Sequence, residues 1–518
     1  MQLSINTNQK KYLDFDSCNE QLESYRQQGK KIVLCNGVFD LLHPGHIAHL
    51  KAAKAMGDLL VVSLTAAAYA NRGPGRPIFT DELRLSSLAA LACVDFVILT
   101  PQATALGVIE KVRPYIYCKG DEYADASQDV TQNIDREAAQ VRAFGGDIRY
   151  TSEITFSSTQ LINNYLNVVP PQLKHYAKTL NQQYDLRQIK DAIDRMQQLR
   201  VLVVGEVIID EFLHCDIQGL TSKGKALSTR FVKKEQHLGG VIAIARHLAS
   251  FAQSVTVASS IGNEPEVHKL ITEQVGNSLD LCLHQSENCA TVIKRRYIEQ
   301  QSTAKDRAQL FAINTIDEAG LKGEERQKFY NDLKQSLTNY DLVVLADYGH
   351  GLIEPSIMEL IQERASFLAL NCQTNSANYG CNPIDKYQRA DTFCLDEREL
   401  KLAYPKRDSD RRELLMQLRQ HLGARQGWLT LADSGSLGIQ FQEKLDSAPA
   451  LTQTVKDTTG AGDAFFALAS LSARLDLPLE LGSFLGNLAG AIAANILGNE
   501  KPVEKARLLK FAKTVCTY

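Results

Sequence analysis

The chain has 518 residues, of which 44% are hydrophobic and 23% are charged, so it is long enough for two to four domains and too apolar to be disordered throughout. Lysine and arginine total 57 against 60 aspartate and glutamate, a formal net charge of -3, which excludes a global basic field for nucleic acid or an anionic membrane. Neither a signal-peptide core nor about 18 uninterrupted apolar residues is found, so we expect a cytoplasmic protein.

The first part of the chain alternates short apolar runs with helix-length patterns. The runs that predict strands are 31–37, 59–64, 96–99 and 115–118, and the patterns that predict helices are 46–56 and 81–92. Alternation of this kind is typical of an open parallel α/β sheet.

A second alternation begins at residue 200. Its predicted strands are 200–205, 255–258, 342–345, 367–370 and 428–431. Between the two parts, Val168-Val-Pro-Pro171 is expected to break regular structure, and a polar helix is expected over 185–198. The predicted organisation is an extension at 1–27, an α/β domain at 28–168, a linker with a helix at 169–198 and a second α/β domain at 199–518.

Eleven cysteines are scattered singly from Cys18 to Cys516, without a Cys-x-x-Cys pair. An odd number of dispersed cysteines favours reduced, mostly buried thiols over a disulfide framework or a zinc site. The sequence therefore predicts no structural metal.

The string Gly37-Val-Phe-Asp-Leu-Leu-His43-Pro-Gly-His46 follows the first strand and opens a helix. Backbone amides and the helix dipole favour phosphate at such a place, and two imidazoles can donate hydrogen bonds to phosphate oxygens. A turn that merely carries two surface histidines would give the same residues.

This string resembles the His-x-Gly-His signature of the cytidylyltransferase-like nucleotidyltransferases. Further matches follow in order over about residues 28–165: Arg76-Pro77, Glu82, Arg84, Cys118-Lys-Gly-Asp-Glu-Tyr123 and Thr155-Phe-Ser-Ser-Thr159. The resemblance implies a Rossmann-like sheet and attack of a sugar or polyol phosphate on the α-phosphate of ATP or CTP, with release of pyrophosphate.

The same resemblance implies catalytic roles for His43, His46 and Lys119 beside a nucleotide-bound Mg²⁺. The residues that it places at the nucleotide or its phosphates are Gly37, Phe39, Asp40, Arg84, Ser157, Ser158 and Thr159. The alternative for the last three is a plain helix cap.

A second string, Val455-Lys-Asp-Thr-Thr-Gly460-Ala-Gly462-Asp463-Ala-Phe465, precedes an apolar helix. Small residues let backbone amides surround an anion, and Asp463 at the helix start is placed to accept the proton of a substrate hydroxyl. A glycine-rich turn by itself is also consistent with simple helix capping.

This second string resembles the Asp-Thr-x-Gly-Ala-Gly-Asp signature of the ribokinase-like (PfkB) carbohydrate kinases, and supporting matches extend over about residues 200–500. The resemblance implies a ribokinase-like α/β sandwich that uses ATP with Mg²⁺. By residue it implies a catalytic base at Asp463, an anion hole at Gly460, Ala461 and Gly462, sugar contacts at Asp210, Gly239 and Gly240, and nucleotide contacts at Thr430, Gly435 and Asn487.

Three departures concern the sugar site. Ala243 stands where the family usually has an asparagine, Asp396 stands where an asparagine is usual, and an Asp-Pro-Lys-like segment is replaced at 370–378. Gln373 and Asn375 are the candidates for a replacement hydroxyl contact. The sequence therefore predicts a sugar specificity different from that of ordinary members.

Together the two parts resemble the bifunctional kinases and nucleotidyltransferases of ADP-heptose synthesis, in reversed order. The resemblance implies an enzyme for a lipopolysaccharide or capsule precursor, with small-molecule substrates, no nucleic-acid or membrane partner, and a homodimer as one open oligomeric state. Two alternatives remain: an active nucleotidyltransferase fused to a degenerate kinase-like module for binding or dimerisation, and two independent enzymes joined for co-expression.

Overall fold

The computed structural model describes residues 11–70, 76–120, 133–151, 169–299, 309–317, 320–374, 378–404, 410–441, 444–452 and 455–518. The chain divides into two compact units, Met1–Asn181 with Leu509–Tyr518, and Gln182–Leu508. Within the described ranges, every helix is too short or too polar to span a lipid bilayer.

The first unit is built on a parallel sheet of six strands. They are β1 Tyr12–Leu13, β2 Ile32–Gly37, β3 Leu59–Thr65, β4 Phe96–Thr100, β5 Ile116–Gly120 and β6 Asp147–Thr151. Their order is β1-β4-β3-β2-β5-β6 and every pairing is parallel. The predicted parallel α/β sheet is confirmed.

The helices of this unit are α1 Cys18–Gln27, α2 Pro44–Lys54, α3 Asp81–Ala89, α4 Leu106–Val112, α5 Asn133–Ala143 and α6 Pro171–Gln183. An apolar cluster covers each face of the sheet. Two helix starts differ from the expected ones because proline is well suited to the first helical position. Pro44 starts α2 two residues early, and Pro171 starts α6 where a break was expected.

The strand order reverses at β2, which pairs with β3 on one side and with β5 on the other. In open parallel sheets, ligands bind beyond the carboxyl ends of the strands at such a switch point. Gly37 and Gly120 are the last residues of β2 and β5, so the crevice of the first unit lies beyond these two residues.

The second unit contains a nine-stranded sheet in the order β11-β10-β7-β14-β15-β16-β17-β18-β19. Its strands are β7 Arg200–Gly205, β10 Ser254–Ile261, β11 Asp280–Gln285, β14 Leu342–Asp347, β15 Leu368–Cys372, β16 Thr392–Asp396, β17 Gln426–Thr430, β18 Ser436–Gln440 and β19 Leu445–Ala448. The pairings are parallel from β11 to β17, and the last two strands are antiparallel.

A separate sheet of four strands has the order β13-β12-β8-β9. Its strands are β8 Val207–Leu220, β9 Leu227–Gly239, β12 Val292–Glu299 and β13 Gln309–Thr315. The helices of the second unit are α7 Leu186–Met196, α8 Gly240–Ala249, α9 Pro265–Val275, α10 Gly323–Ser336, α11 Pro355–Arg364, α12 Glu397–Ala403, α13 Arg411–Leu422, α14 Ala461–Arg474 and α15 Leu479–Ala493, followed by α16 Lys505–Val515, which ends in the first unit.

Candidate active sites

His43 and His46 lie together at the start of α2. His43 is the N-cap residue and is buried, and His46 follows in the first turn. Their rings stack with centroids 4.0 Å apart, and His46 also meets the edge of Phe39 at 5.2 Å. The two imidazoles therefore lie at a helix N-terminus in the switch-point crevice, where an anion is favoured.

The loop between β2 and α2 is fixed by Phe39 and Asp40. Phe39 adopts a left-handed backbone with φ of +46°, a conformation that a bulky residue holds only when its surroundings enforce it. The buried carboxylate of Asp40 accepts hydrogen bonds from the amides of Ile78 at 2.7 Å and Phe79 at 3.2 Å, and Arg76 lies 3.4 Å away. Asp40 thus ties the histidine loop to the segment before α3.

Arg84 does not fit the expected phosphate-binding role. Its side chain is 1% exposed, and its guanidinium donates to the carbonyls of Phe79 at 3.1 Å, Val38 at 2.6 Å and Thr65 at 3.1 Å and to the carboxylate of Asp81. Because these protein groups already accept the hydrogen bonds of the guanidinium, Arg84 stabilises the loop between β2 and α2 and does not face a ligand.

Arg84→Met is expected to lower the free energy of unfolding of the first unit by about 2–4 kcal/mol, because it removes the donor to the buried carbonyl of Thr65 and to the partly buried carbonyls of Phe79 and Val38. Urea denaturation followed by circular dichroism measures this. Arg113→Met, which changes a guanidinium stacked on Phe144, is the comparison. Equal stability of Arg84→Met and wild type would show that the buried contacts are unimportant.

Lys119 lies near the end of β5, beside β2. Its ammonium is 3.3 Å from the carboxylate of buried Glu137, which also accepts from the hydroxyl of Tyr117 at 3.0 Å and the amide of Ala105 at 3.2 Å. Glu137 thereby fixes the lysine at the crevice. Ser157, Ser158 and Thr159 lie outside the described residues.

In the second unit, Asp463 is the third residue of α14, whose N-cap is Gly460. Gly460 has a φ of +78°, and a Cβ there would collide with the side chain of Asn499, so only glycine fits. A Cβ on Gly462 would have no neighbouring atom within 4 Å among the described residues, so the space beside this glycine is open. The turn from Gly460 to Asp463 therefore presents helix-terminal amides next to a carboxylate in an open space.

The carboxylate of Asp463 accepts a hydrogen bond from the side-chain amide of Gln373 at 3.0 Å. Burial raises the pKa of Asp463 to about 6, the Gln373 hydrogen bond lowers it, and the charge of Asp210 raises it further. A pKa near the working pH is what a general base requires.

Asp210 stands in β8 between two neighbouring strands of the four-stranded sheet. It is buried and accepts from the guanidinium of Arg296 at 2.6 Å. Lys294 is its register partner on β12, and burial lowers the pKa of Lys294, against the raising effect of the Asp210 and Asp463 charges. A Cβ on Gly239 would collide with the Asp210 carboxylate. Gly240 follows as the first residue of α8.

Two carboxylates lie at the start of α12. Asp396 caps the helix, and the Glu399 carboxylate completes a capping box by accepting a hydrogen bond from the Asp396 amide at 2.9 Å. Glu399 also accepts a hydrogen bond from the Thr374 amide at 3.1 Å. Burial, followed by the charge of Asp396, raises the pKa of Glu399 to about 8, and Asp463 contributes to the shift. Ala243, in the first turns of α8, is buried.

The three expected nucleotide contacts are distributed around β17 and β18. Thr430 ends β17 and Gly435 immediately precedes β18. The amide of Asn487 in α15 donates to the hydroxyl of Ser436 at 2.7 Å and to the carbonyl of Ser483 at 2.8 Å. Asn487 therefore supports the turn after Gly435 through Ser436.

The raised pKa of Asp463 predicts how the rate of phosphoryl transfer depends on pH. A base must be ionised, so kcat/KM for phosphoryl transfer is expected to be level above pH of about 6 and to fall about tenfold per unit below it. Gln373→Met removes the hydrogen bond that lowers this pKa and should move the midpoint to higher pH. A midpoint unchanged by this variant would contradict the assignment.

Residues 198–506, more than half of the chain, match the model of the pfkB family carbohydrate kinases. The chain belongs to this family. Residues 34–164 match the cytidylyltransferase-like model, so the pfkB domain shares its chain with a domain similar to nucleotidyltransferases.

Curated relatives named bifunctional protein HldE match part of this pfkB chain. The protein of Syntrophotalea carbinolica is 43% identical over 110 residues, which cover 21% of this chain and 22% of the relative. That of Azotobacter vinelandii is 41% identical over 140 residues, 27% of this chain and 28% of the relative. The matched region thus spans less than a third of either relative.

A solved structure of phosphofructokinase-2 from Escherichia coli has a TM-score of 0.51 at 13% identity, covering 61% of this chain and 99% of that chain. The same enzyme in complex with substrates and products gives a TM-score of 0.50 at 14% identity over 61% and 98% of the two chains. The likeness shows the fold, and the predicted ribokinase-like α/β architecture is confirmed.

Sequence reasoning missed Lys294 and Arg296 and gave Gln373 a different role. The two cations occupy alternate positions of a charged strand that carries no motif, so only its pairing with β8 brings them to Asp210. Gln373 was expected to replace a sugar contact, and the structure places its amide on Asp463.

Proposed function

We propose that this pfkB family member is a bifunctional enzyme of nucleotide-activated sugar synthesis. One unit phosphorylates a heptose-like sugar or sugar phosphate with ATP, and the other transfers a nucleotidyl group from ATP or CTP to a sugar or polyol phosphate, releasing pyrophosphate. The two family matches within one chain support this proposal, and so do relatives described as bifunctional.

The kinase half rests on Asp463 at the N-terminus of α14. Its carboxylate takes the proton of the attacking sugar hydroxyl while the oxygen of that hydroxyl forms a bond to the γ-phosphorus. The bond from this phosphorus to the bridging oxygen breaks, and ADP leaves with that oxygen. The amides of the turn that begins at Gly460 stabilise the charge on the transferring phosphate. A degenerate kinase-like module is not favoured, because such a module would have no use for a carboxylate with a pKa of about 6 at this position.

Mg²⁺ is part of the proposal as the partner of the nucleotide phosphates, whose charge it would neutralise. Mg²⁺ prefers one or two carboxylates together with phosphate and water oxygens. Asp396 and Glu399 fit that donor set, since a cation nearby would favour ionisation of buried Glu399. We propose these two side chains as its neighbours.

In the transferase half, His43 and His46 donate hydrogen bonds to oxygens of the α-phosphate, and the N-terminus of α2 adds a favourable dipole. Lys119, held by Glu137, supplies a positive charge from the neighbouring strand. The sugar phosphate oxygen attacks the α-phosphorus and pyrophosphate departs, so catalysis consists of positioning and charge stabilisation.

The charges around Asp210 support a phosphorylated substrate. A neutral sugar needs hydroxyl contacts alone, whereas Lys294 and Arg296 place two cations beside the carboxylate. Because half-buried cations such as these two form charge-assisted hydrogen bonds to phosphate, this arrangement favours a sugar that already carries a phosphate. The absence of an amide at Ala243 fits a substrate recognised by charge.

Lys294→Met keeps the length of the side chain and removes its charge. We expect the KM for a heptose phosphate to rise about 10–100-fold, the range for hydrogen bonds to charged groups, and the KM for the unphosphorylated sugar to change little. A coupled ADP assay measures both. The control is Lys233→Met, an exposed lysine paired with Glu235 on the same sheet. Equal losses for both sugars would contradict a phosphate-binding role.

We further propose a cytoplasmic homodimer. Exposed apolar side chains on β9 and β13, Phe231 and Phe311 among them, support association of two copies, because such patches are rarely left open to solvent.

A further inference from the structure

Three potential metal ligands converge beneath α2 in the first unit. Cys35 in β2 and Cys118 in β5 are register partners on adjacent parallel strands. One Sγ from each and one ring nitrogen of His49 in α2 all lie within 4.8 Å of one another. The cluster joins three elements whose sequence positions are far apart.

The cluster lies in the protein interior, and a hydrogen bond orients its histidine. Both thiols are buried, and His49 is half-buried. The Nδ1 atom of His49 lies 2.6 Å from the hydroxyl of Thr151 in β6. In metal sites an oxygen partner orients the histidine through the ring nitrogen that does not bind the metal, so the Thr151 contact leaves Nε2 as the ligand atom of this proposal.

The donor set selects a thiophilic cation. Thiolate and imidazole suit Zn²⁺, while Mg²⁺ takes oxygen ligands. With Zn–S bonds of about 2.3 Å, tetrahedral ligand atoms lie about 3.8 Å apart, so the three side chains need to close by only about 1 Å. We propose that Cys35, His49 and Cys118 bind Zn²⁺, with a fourth position open to water. Both thiols lose a proton to solvent as the two Zn–S bonds form.

This site is separate from the nucleotide chemistry but touches its scaffold. The ligands lie within three residues of Gly37, His46 and Lys119, and a bound ion would tie β2, β5 and α2 together. The inference departs from the expectation of no structural metal, because strand pairing brings together cysteines that form no local motif.

The test uses the full chain without a polyhistidine tag, purified under reducing conditions and stripped of metal. Zn²⁺ is titrated in competition with a chromophoric chelator, and Co²⁺ replaces it to reveal thiolate-to-cobalt charge-transfer absorption. We expect tight binding of one Zn²⁺ that Cys118→Ser and His49→Gln weaken by more than about 100-fold, since loss of an outer partner alone costs 10–100-fold.

Cys18→Ser, which alters a buried thiol in α1, should leave the affinity unchanged. Thr151→Val should weaken binding about tenfold by releasing His49. His49→Gln keeps the test decisive if a cysteine variant fails to fold, because its side chain is only half-buried. Absence of Zn²⁺ binding, or equal binding by wild type and His49→Gln, would overturn the proposal.

Discussion

Asp463→Asn is expected to slow ATP-dependent sugar phosphorylation by about 10²–10⁴-fold, the usual contribution of a general base, and to leave pyrophosphate release unchanged. Asparagine keeps the size of the side chain but cannot take a proton. A coupled ADP assay and a pyrophosphatase-coupled phosphate assay measure the two activities on the same preparation.

Stability distinguishes lost chemistry from lost folding in this variant. The pKa of Asp463 in the folded protein is about 6, above its ordinary value of 3.8. Ionisation of this carboxyl therefore lowers the free energy of unfolding progressively between pH 4 and pH 6, and the full loss is reached above pH 6. Asp463→Asn should therefore be at least as stable as wild type at pH 8. The control is Asp476→Asn, an exposed left-handed residue at which asparagine is tolerated. Full kinase activity of Asp463→Asn would disprove the assigned base.

His46→Ala is expected to reduce pyrophosphate release by about 10²–10³-fold, the cost of losing one preorganised donor to a developing charge. Kinase activity should remain, because His46 belongs to the first unit. His46 is a better choice than His43, which is buried at the N-cap position of α2.

His175→Ala, an exposed histidine in α6, controls for the loss of an imidazole as such. If His46→Ala releases pyrophosphate at the wild-type rate, the histidine pair has no part in the transfer and the site must be sought elsewhere.

The sequence predicts several central parallel strands of the two larger sheets, because these strands are buried on both faces and read as unbroken apolar runs, such as 201–204. It does not predict the four-stranded sheet. There β9 carries the exposed lysines Lys233 and Lys234 next to half-buried Glu235, so its pattern resembles a loop.

The candidate sites divide in the same way. Local strings locate His43, His46 and Asp463, since each string contains the start of one helix. The burial of Arg84, the cations beside Asp210 and the cluster at Cys35 depend on pairings between distant segments, which no short motif encodes.

The most direct test of the central claim is a ³¹P NMR time course with a panel of sugars and sugar phosphates, each with ATP or CTP and Mg²⁺. The account predicts that wild type and His46→Ala phosphorylate a heptose phosphate while Asp463→Asn does not. It predicts equally that wild type and Asp463→Asn convert a sugar 1-phosphate to a nucleotide sugar and pyrophosphate while His46→Ala does not. Loss of both activities in either folded variant, or wild-type phosphorylation of ribose or fructose in preference to the phosphorylated sugars, would contradict it.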